Sequence, residues 1–416
     1  MKTKIQDMTS GSPGRLIILF AIPLMLGNIC QQLYTMVDTM VVGQIAGVEA
    51  LAALGAVDFL MWVVTGISTG LTQGFSIQLS QYYGAKDFEN LRKSLAHSYR
   101  LTAFIAVGVF ILSQSFAALV LTGLHTPSNI IGMSLLYLRI IFCGIPATAA
   151  YNMFAAALRA MGNSKTPLTA MIIASVLNIS LDILFVAGFG WGVAGAAIAT
   201  VIAQSFSAVY CFLILRRIDI VHLSRADFMS AAGMNARLMK LGIPVVFQNI
   251  IIGVGGLVVQ YVINGYGFLF VAGFTATNKL YGLLEMAAIS YGYAIVTYVG
   301  QNLGAGKIDR IRKGVRSSML LSLLTSLIIS AAMQMILAVL FLRNIPTNFD
   351  RNSCYLSSLS LISSISLSAS LPTFKIHIKT TPIPIPIDTS RKSFNNTHIF
   401  ITPNFLLNLL QGSSAV

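Results

Sequence analysis

The chain is a succession of long, sparsely charged apolar runs separated by short polar loops. The runs cover Leu16 to Val42, Val57 to Leu79, Leu95 to Thr122, Ser134 to Ala160, Leu168 to Phe189, Val193 to Leu215, Ile243 to Val262, Phe274 to Val299 and Met319 to Leu342. Each reaches or exceeds the roughly 20 apolar residues that a helix needs to cross a bilayer. They predict membrane helices.

The pattern also repeats. Leu19-Phe20-Ala21-Ile22-Pro23 opens one run, and Gln81-Tyr82-Tyr83-Gly84-Ala85 later leads to Arg92-Lys93. About 220 residues on, Leu241-Gly242-Ile243-Pro244 is followed by Gln301-Asn302-Leu303-Gly304-Ala305 and then Arg312-Lys313. The longest polar interruption, Arg216 to Lys240, comes just before the second copy starts. Six crossings precede it, so the second copy starts on the same side as the first. The expected fold is an all-α polytopic membrane protein of two parallel-repeat lobes, related by an axis along the membrane normal. The segments read as a six-helix lobe over 1–217, a cytoplasmic connector over 218–240, the first half of a second lobe over 241–343, and a tail over 344–416 expected to be poorly ordered.

Beyond Asn344 the character changes. Glycine vanishes until Gly412, alanine becomes scarce, Ser and Thr abound, and Pro382 to Pro386 alternates with Ile. No stretch there reads as a clear span. The second lobe thus has about three of an expected six helices. Either a natural variant ends differently, or the reading frame slips near Arg343; the abruptness favours the second.

Composition agrees with a bilayer as solvent: 56% of residues are hydrophobic and 10% charged, and the mean hydropathy is +0.78, whereas soluble domains carry roughly a quarter charged residues. The net charge of +14 would suit a nucleic-acid partner, but its placement argues against one. Lys86, Arg92 and Lys93; Arg159 and Lys165; Arg216, Arg217, Arg225, Arg237 and Lys240; and Lys307, Arg310, Arg312, Lys313 and Arg316 fall in alternate loops. The intervening loops, around 44–50, 125–129, 188–192 and 264–267, hold no Lys or Arg. This is the positive-inside pattern, and it predicts a multi-pass protein of the cell membrane with a cytoplasmic N-terminus. The basic segments are expected to rest on lipid headgroups; no obligate protein partner is implied. The four cysteines have no metal-ligand spacing and read as free thiols. No zinc-type His pair, nucleophile elbow or phosphate loop appears, so nothing points to an enzyme or a bound cofactor.

The chemistry-bearing residues are few. Asp38 lies in the first apolar run, where an ionisable group is costly and marks an ion or substrate path. Asp182 lies in the fifth run, and Asn178, one turn earlier, shares its face. Either acid could instead lie near a helix end and be solvated. The tyrosines of the eighth run, Tyr281, Tyr291, Tyr293 and Tyr298, fit cation stacking and an interfacial belt equally well.

Several motifs stand in a telling order: Ile22-Pro23, Tyr34-x-x-x-Asp38, Gln81-x-x-Gly84-Ala85-Lys86, Ala157-Leu158-Arg159-Ala160-x-Gly162-Asn163, Leu177-Asn178-x-x-x-Asp182 and Gly192-x-x-Gly195-Ala196-Ala197-x-Ala199-Thr200. From Leu16 to Leu342 the chain resembles the multidrug and toxic compound extrusion (MATE) family. That resemblance implies twelve helices in two lobes and export of organic, often cationic, small molecules by antiport with H+ or Na+. It implies that Asp38 is the principal coupling carboxylate, that Asn178, Asp182 and Thr200 complete its network with Tyr34 and Asn152 nearby, and that the first helix bends at Pro23. A Na+ ion would sit at Asp38, Asn178 and Asp182. Some members carry a second-lobe Glu where this chain has Gln248 and Asn249, which leaves Glu285 as that lobe's candidate acid. Two other readings remain open: a lipid-linked saccharide flippase of the same general plan, and an inactive truncated transporter product.

Overall fold

The computed structural model describes residues 6–229, 233–344, 377–380 and 397–400. In order, the helices are α1 (Pro13–Ile45), α2 (Val48–Gly84), α3 (Phe88–Gly123), α4 (Ile131–Cys143), α5 (Ile145–Ala160), α6 (Lys165–Asp182), α7 (Gly192–Leu215), α8 (Met234–Asn264), α9 (Phe268–Gly304) and α10 (Ile308–Asn344). A π-helical stretch, Ile183–Gly188, extends α6. Two short 3-10 turns, Asp219–Val221 and Arg225–Phe228, lie between α7 and α8.

All nine apolar runs fall in helices, but the helices overrun them. At 37 residues, α2 is about 55 Å long, well beyond the ~30 Å hydrocarbon core. A helix of that length outruns the hydrocarbon, so its polar ends can stay helical beyond it. For the same reason α8 starts at Met234, inside the polar stretch expected to be a connector. What remains of that stretch docks on α3: the Arg100 guanidinium donates to the Phe228 carbonyl at 2.9 Å, and His97 lies between Asn235 Oδ1 at 2.7 Å and the Met229 carbonyl at 3.1 Å.

By length and hydropathy seven described helices can cross a membrane, or eight if α4 and α5 form one broken span. That fourth run was expected as a single helix. It bends by 48° at Gly144, where Pro146 in the first turn of α5 has no N–H to continue the ladder.

The structure expresses the repeat directly. α2 and α9 are both 37 residues long. Each starts after a glycine of positive φ, Gly47 at 96° and Gly267 at 86°, and each ends in a Gln-x-x-Gly motif. These two ends pack on each other reciprocally. A Cβ on Gly84 would overlap the Gln301 carbonyl, and one on Gly304 would overlap that of Gln81. Such mutual contact is the mark of a local twofold relation, and only glycine permits so close an approach.

The chain divides into two compact units, Met1–Ser322 and Leu323–Val416. The described part of the second holds the end of α10 and an antiparallel pair of short strands, β1 (His377–Thr380) and β2 (Thr397–Phe400), with His377 opposite Phe400. The rest of the Ser/Thr-rich tail lies outside the described residues.

Candidate functional site: a buried acidic cluster of helices α1, α6 and α7

Small residues bring α1 and α6 together, and α7 packs against α6. Gly27 of α1 lies against Leu168 of α6, and further along Ser175 Oγ donates to the Cys30 carbonyl at 3.3 Å. Contacts that advance together along both chains mean that α1 and α6 run parallel. From the Cys30–Ser175 level, Asp38 lies about eight residues on and Asp182 about seven, so at 1.5 Å per residue the two acids reach nearly the same height. Both are buried, Asp38 at 5% and Asp182 at 0% exposure, and they lie close enough to interact electrostatically. Asp38 sits well inside α1, which continues to Ile45. The solvated-end alternative is therefore not what this arrangement shows.

Around the acids, Asn178 Nδ2 donates to Thr200 Oγ1 at 3.4 Å, and Gln204 Nε2 donates to the Tyr34 hydroxyl at 3.0 Å. The remaining oxygens are the telling feature. Among the described residues neither carboxylate oxygen of Asp182 accepts a hydrogen bond, nor does Asn178 Oδ1 or Gln204 Oε1, although all are buried. A group of buried acceptors without donors is costly unless a cation or a proton joins them. Asp182 is also the last α-helical residue before the π-helical turn Ile183–Gly188; such widened turns free backbone groups and recur at functional sites.

The other expected residues lie elsewhere. Asn152 on α5 bonds to Thr69 of α2 at 3.2 Å. Pro23 lies within α1, which remains one continuous helix through it. Glu285 sits half-buried on α9, outside the α1–α6–α7 trio. Asn249 is taken by the Gly66 carbonyl of α2 at 2.9 Å. Of the α9 tyrosines, Tyr291 and Tyr298 are buried, and the Tyr293 ring is covered by the Arg159 guanidinium at 4.5 Å. That ring is engaged by the protein's own cation.

Two residues escaped the sequence reading. Gln204 lies one turn beyond Thr200 on α7, so the face logic that joined Asn178 to Asp182 would have found it. Tyr137 of α4 is buried within electrostatic reach of Asp38, Asp182 and Tyr34; an aromatic in an apolar run carries no sequence signal.

Long apolar helices that close over buried acids mark a polytopic membrane protein. Residues 23–184 and 244–347 each match the MatE family model, and the chain belongs to that family of multidrug transporters. The two matched segments correspond to the two repeats. Among its relatives, a probable multidrug resistance protein of Bacillus subtilis, YpnP, is 32% identical over 74% of this chain and 69% of its own length. The multidrug export protein MepA of Staphylococcus saprophyticus is 22% identical over 69% and 64%. A MOP superfamily transporter from Pyrococcus furiosus, described as having a binding pocket of reversed polarity, superposes with a TM-score of 0.77 at 21% identity, covering 88% of this chain and 82% of its own. A MATE structure in the straight conformation gives 0.75 at 21% identity, covering 89% and 82%.

Proposed function

We propose that the chain is a secondary active exporter of the cell membrane, with its N-terminus in the cytoplasm, that expels organic and often cationic compounds in exchange for H+ or Na+ by alternating access. The observation that supports this reading is the set of buried, donorless oxygens of Asp182, Asn178 and Gln204 beside Asp38. An acidic cluster in a low-dielectric bundle attracts a cation strongly. Capture of H+ or Na+ neutralises charge that would otherwise repel across the α1–α6 contact. With that repulsion removed, α1 and α6 close on each other, and Pro23, which leaves the Leu19 carbonyl without its helical donor, is where α1 yields. Closure shrinks the space between α1, α6 and α7 and expels the bound compound.

Coupling requires that cation and cargo favour different states, because a ligand that binds both equally shifts neither. Asp38→Asn keeps the shape of the site and removes half of its charge. In cells expressing the chain, this variant is expected to reach the membrane at normal level and lose efflux of a fluorescent organic cation; undiminished efflux would overturn the reading.

A further inference from the structure

The segment before α1 makes contacts that neither repeat explains. Residues 6–12 run along the basic end and touch both halves of the protein. On the first repeat, the Gln6 amide donates to the Gly162 carbonyl at 3.1 Å; Gly162 has φ of 88° and a Cβ there would overlap the Gln6 carbonyl. On the second repeat, the Met8 amide donates to Gln301 Oε1 at 3.0 Å, and the Met8 carbonyl accepts from Asn302 Nδ2 at 2.9 Å. Lys307 Nζ donates to the Thr9 carbonyl at 2.9 Å, and Arg310 Nη1 to the Gly11 carbonyl at 2.8 Å. The Met8 side chain is fully buried, as are Gln301 and Asn302.

Gln301 joins the system together: while Oε1 holds Met8, its Nε2 donates to the Ala160 carbonyl of α5 at 2.8 Å. One side chain of the second repeat thus grips both the leading segment and the end of a first-repeat helix. The grip lies where Gly84 and Gly304 bring the two repeats into contact. The segment continues directly into α1, so every bond it makes to α9 and α10 ties the coupling helix to the opposite half.

We propose that residues 6–12 form a lock that holds the basic end of the transporter closed, so that opening on that side requires the strap to leave Gln301, Asn302, Lys307 and Arg310. Its bonds are to backbone carbonyls and amides, which makes the lock a matter of strap position rather than of strap side chains, Met8 excepted. The inference rests on the alternating-access reading above.

The test uses the full chain with its four cysteines replaced by alanine and a single reporter thiol introduced by Ser80→Cys. Ser80 is fully buried on α2 against Gly300 of α9, at the contact that must part when the basic end opens. A membrane-impermeant maleimide is applied to the basic side of vesicles. Lys307→Gln combined with Arg310→Gln is expected to raise the labelling rate of the reporter thiol several-fold. A second chain adds Thr9→Cys and Lys307→Cys to the reporter, bridged by a reducible bis-methanethiosulfonate; the bridge is expected to form readily and to suppress labelling at position 80, read by mass spectrometry of the peptide that carries it and not of the two released thiols, until reductant is added and washed away. Failure of that bridge to form, or labelling that is the same with the bridge intact as after its reduction, overturns the lock. Should the double Gln variant fail to fold, the bridged chain decides alone. Efflux is measured in parallel: labelling that responds in a chain that moves no cargo leaves the lock standing and removes the antiport reading.

Discussion

At the level of single residues, the proposed cation site is marked by oxygens of Asp182, Asn178 and Gln204 that lack donors. Asp182 is fully buried and neither of its oxygens is hydrogen-bonded among the described residues. A charge left in that state costs several kcal/mol, and an apolar isostere often relieves roughly 1–4 kcal/mol of such strain. Asp182→Leu is therefore expected to raise the thermal midpoint of the purified protein while efflux is lost. A lowered midpoint would mean that the carboxylate is structurally satisfied and not kept for an ion. Gln204 donates to Tyr34 and carries a buried Oε1 without a donor, so Gln204→Leu is expected to raise several-fold the H+ or Na+ concentration that half-activates efflux; an unchanged activation curve would remove Gln204 from the proposed site. Part of this site was legible in the sequence, because an acid inside an apolar run is conspicuous and Asn178 shares a helical face with Asp182. Tyr137 was not legible, since its place beside the acids comes from the packing of α4 and not from its own run.

At the scale of elements, the helices were visible as apolar runs, but their geometry was not. Nothing in the stretch Ser134 to Ala160 marks a 48° bend except Gly144 and Pro146, and glycine and proline occur within membrane helices without such a break: Pro23 and Pro244 both lie inside continuous helices. The difference is local. The same tripeptide, Gly242-Ile243-Pro244, lies inside unbroken α8, so residue type does not set the bend; at Gly144 it is Val201 of α7 that occupies the space where a Cβ would stand. The π-helical turn after Asp182 was likewise invisible, because it is a matter of hydrogen-bond register and not of residue type. The contact between α2 and α9 carries the clearest element-scale prediction. Gly84→Val or Gly304→Val forces a side chain into the facing backbone and is expected to destabilise the protein by about 1–3 kcal/mol, read as a lower thermal midpoint in detergent. Gly108→Val on α3, where a Cβ meets nothing within 4 Å, is the control and should change the midpoint far less. Equal effects at the three positions would refute the tight reciprocal packing.

At the scale of the whole molecule, tandem duplication was legible because the two copies share motifs in the same order, and α2 and α9 reproduce it in length, starting glycine and ending motif. The strap was not legible. Residues 6–12 are polar and short, and their importance comes only from where they lie, against the end of α5 and the α9–α10 turn. A cation captured at the Asp38–Asp182 cluster is proposed to drive cargo the other way. The most direct measurement reconstitutes the chain in liposomes, imposes a gradient of H+ or of Na+, and follows a fluorescent organic cation. One of the two gradients is expected to move the dye against its own direction, and Asp38→Asn with Asp182→Asn is expected to abolish this movement while leaving the helical content unchanged. Dye movement that ignores both gradients, or that persists in the double variant, would contradict the proposal.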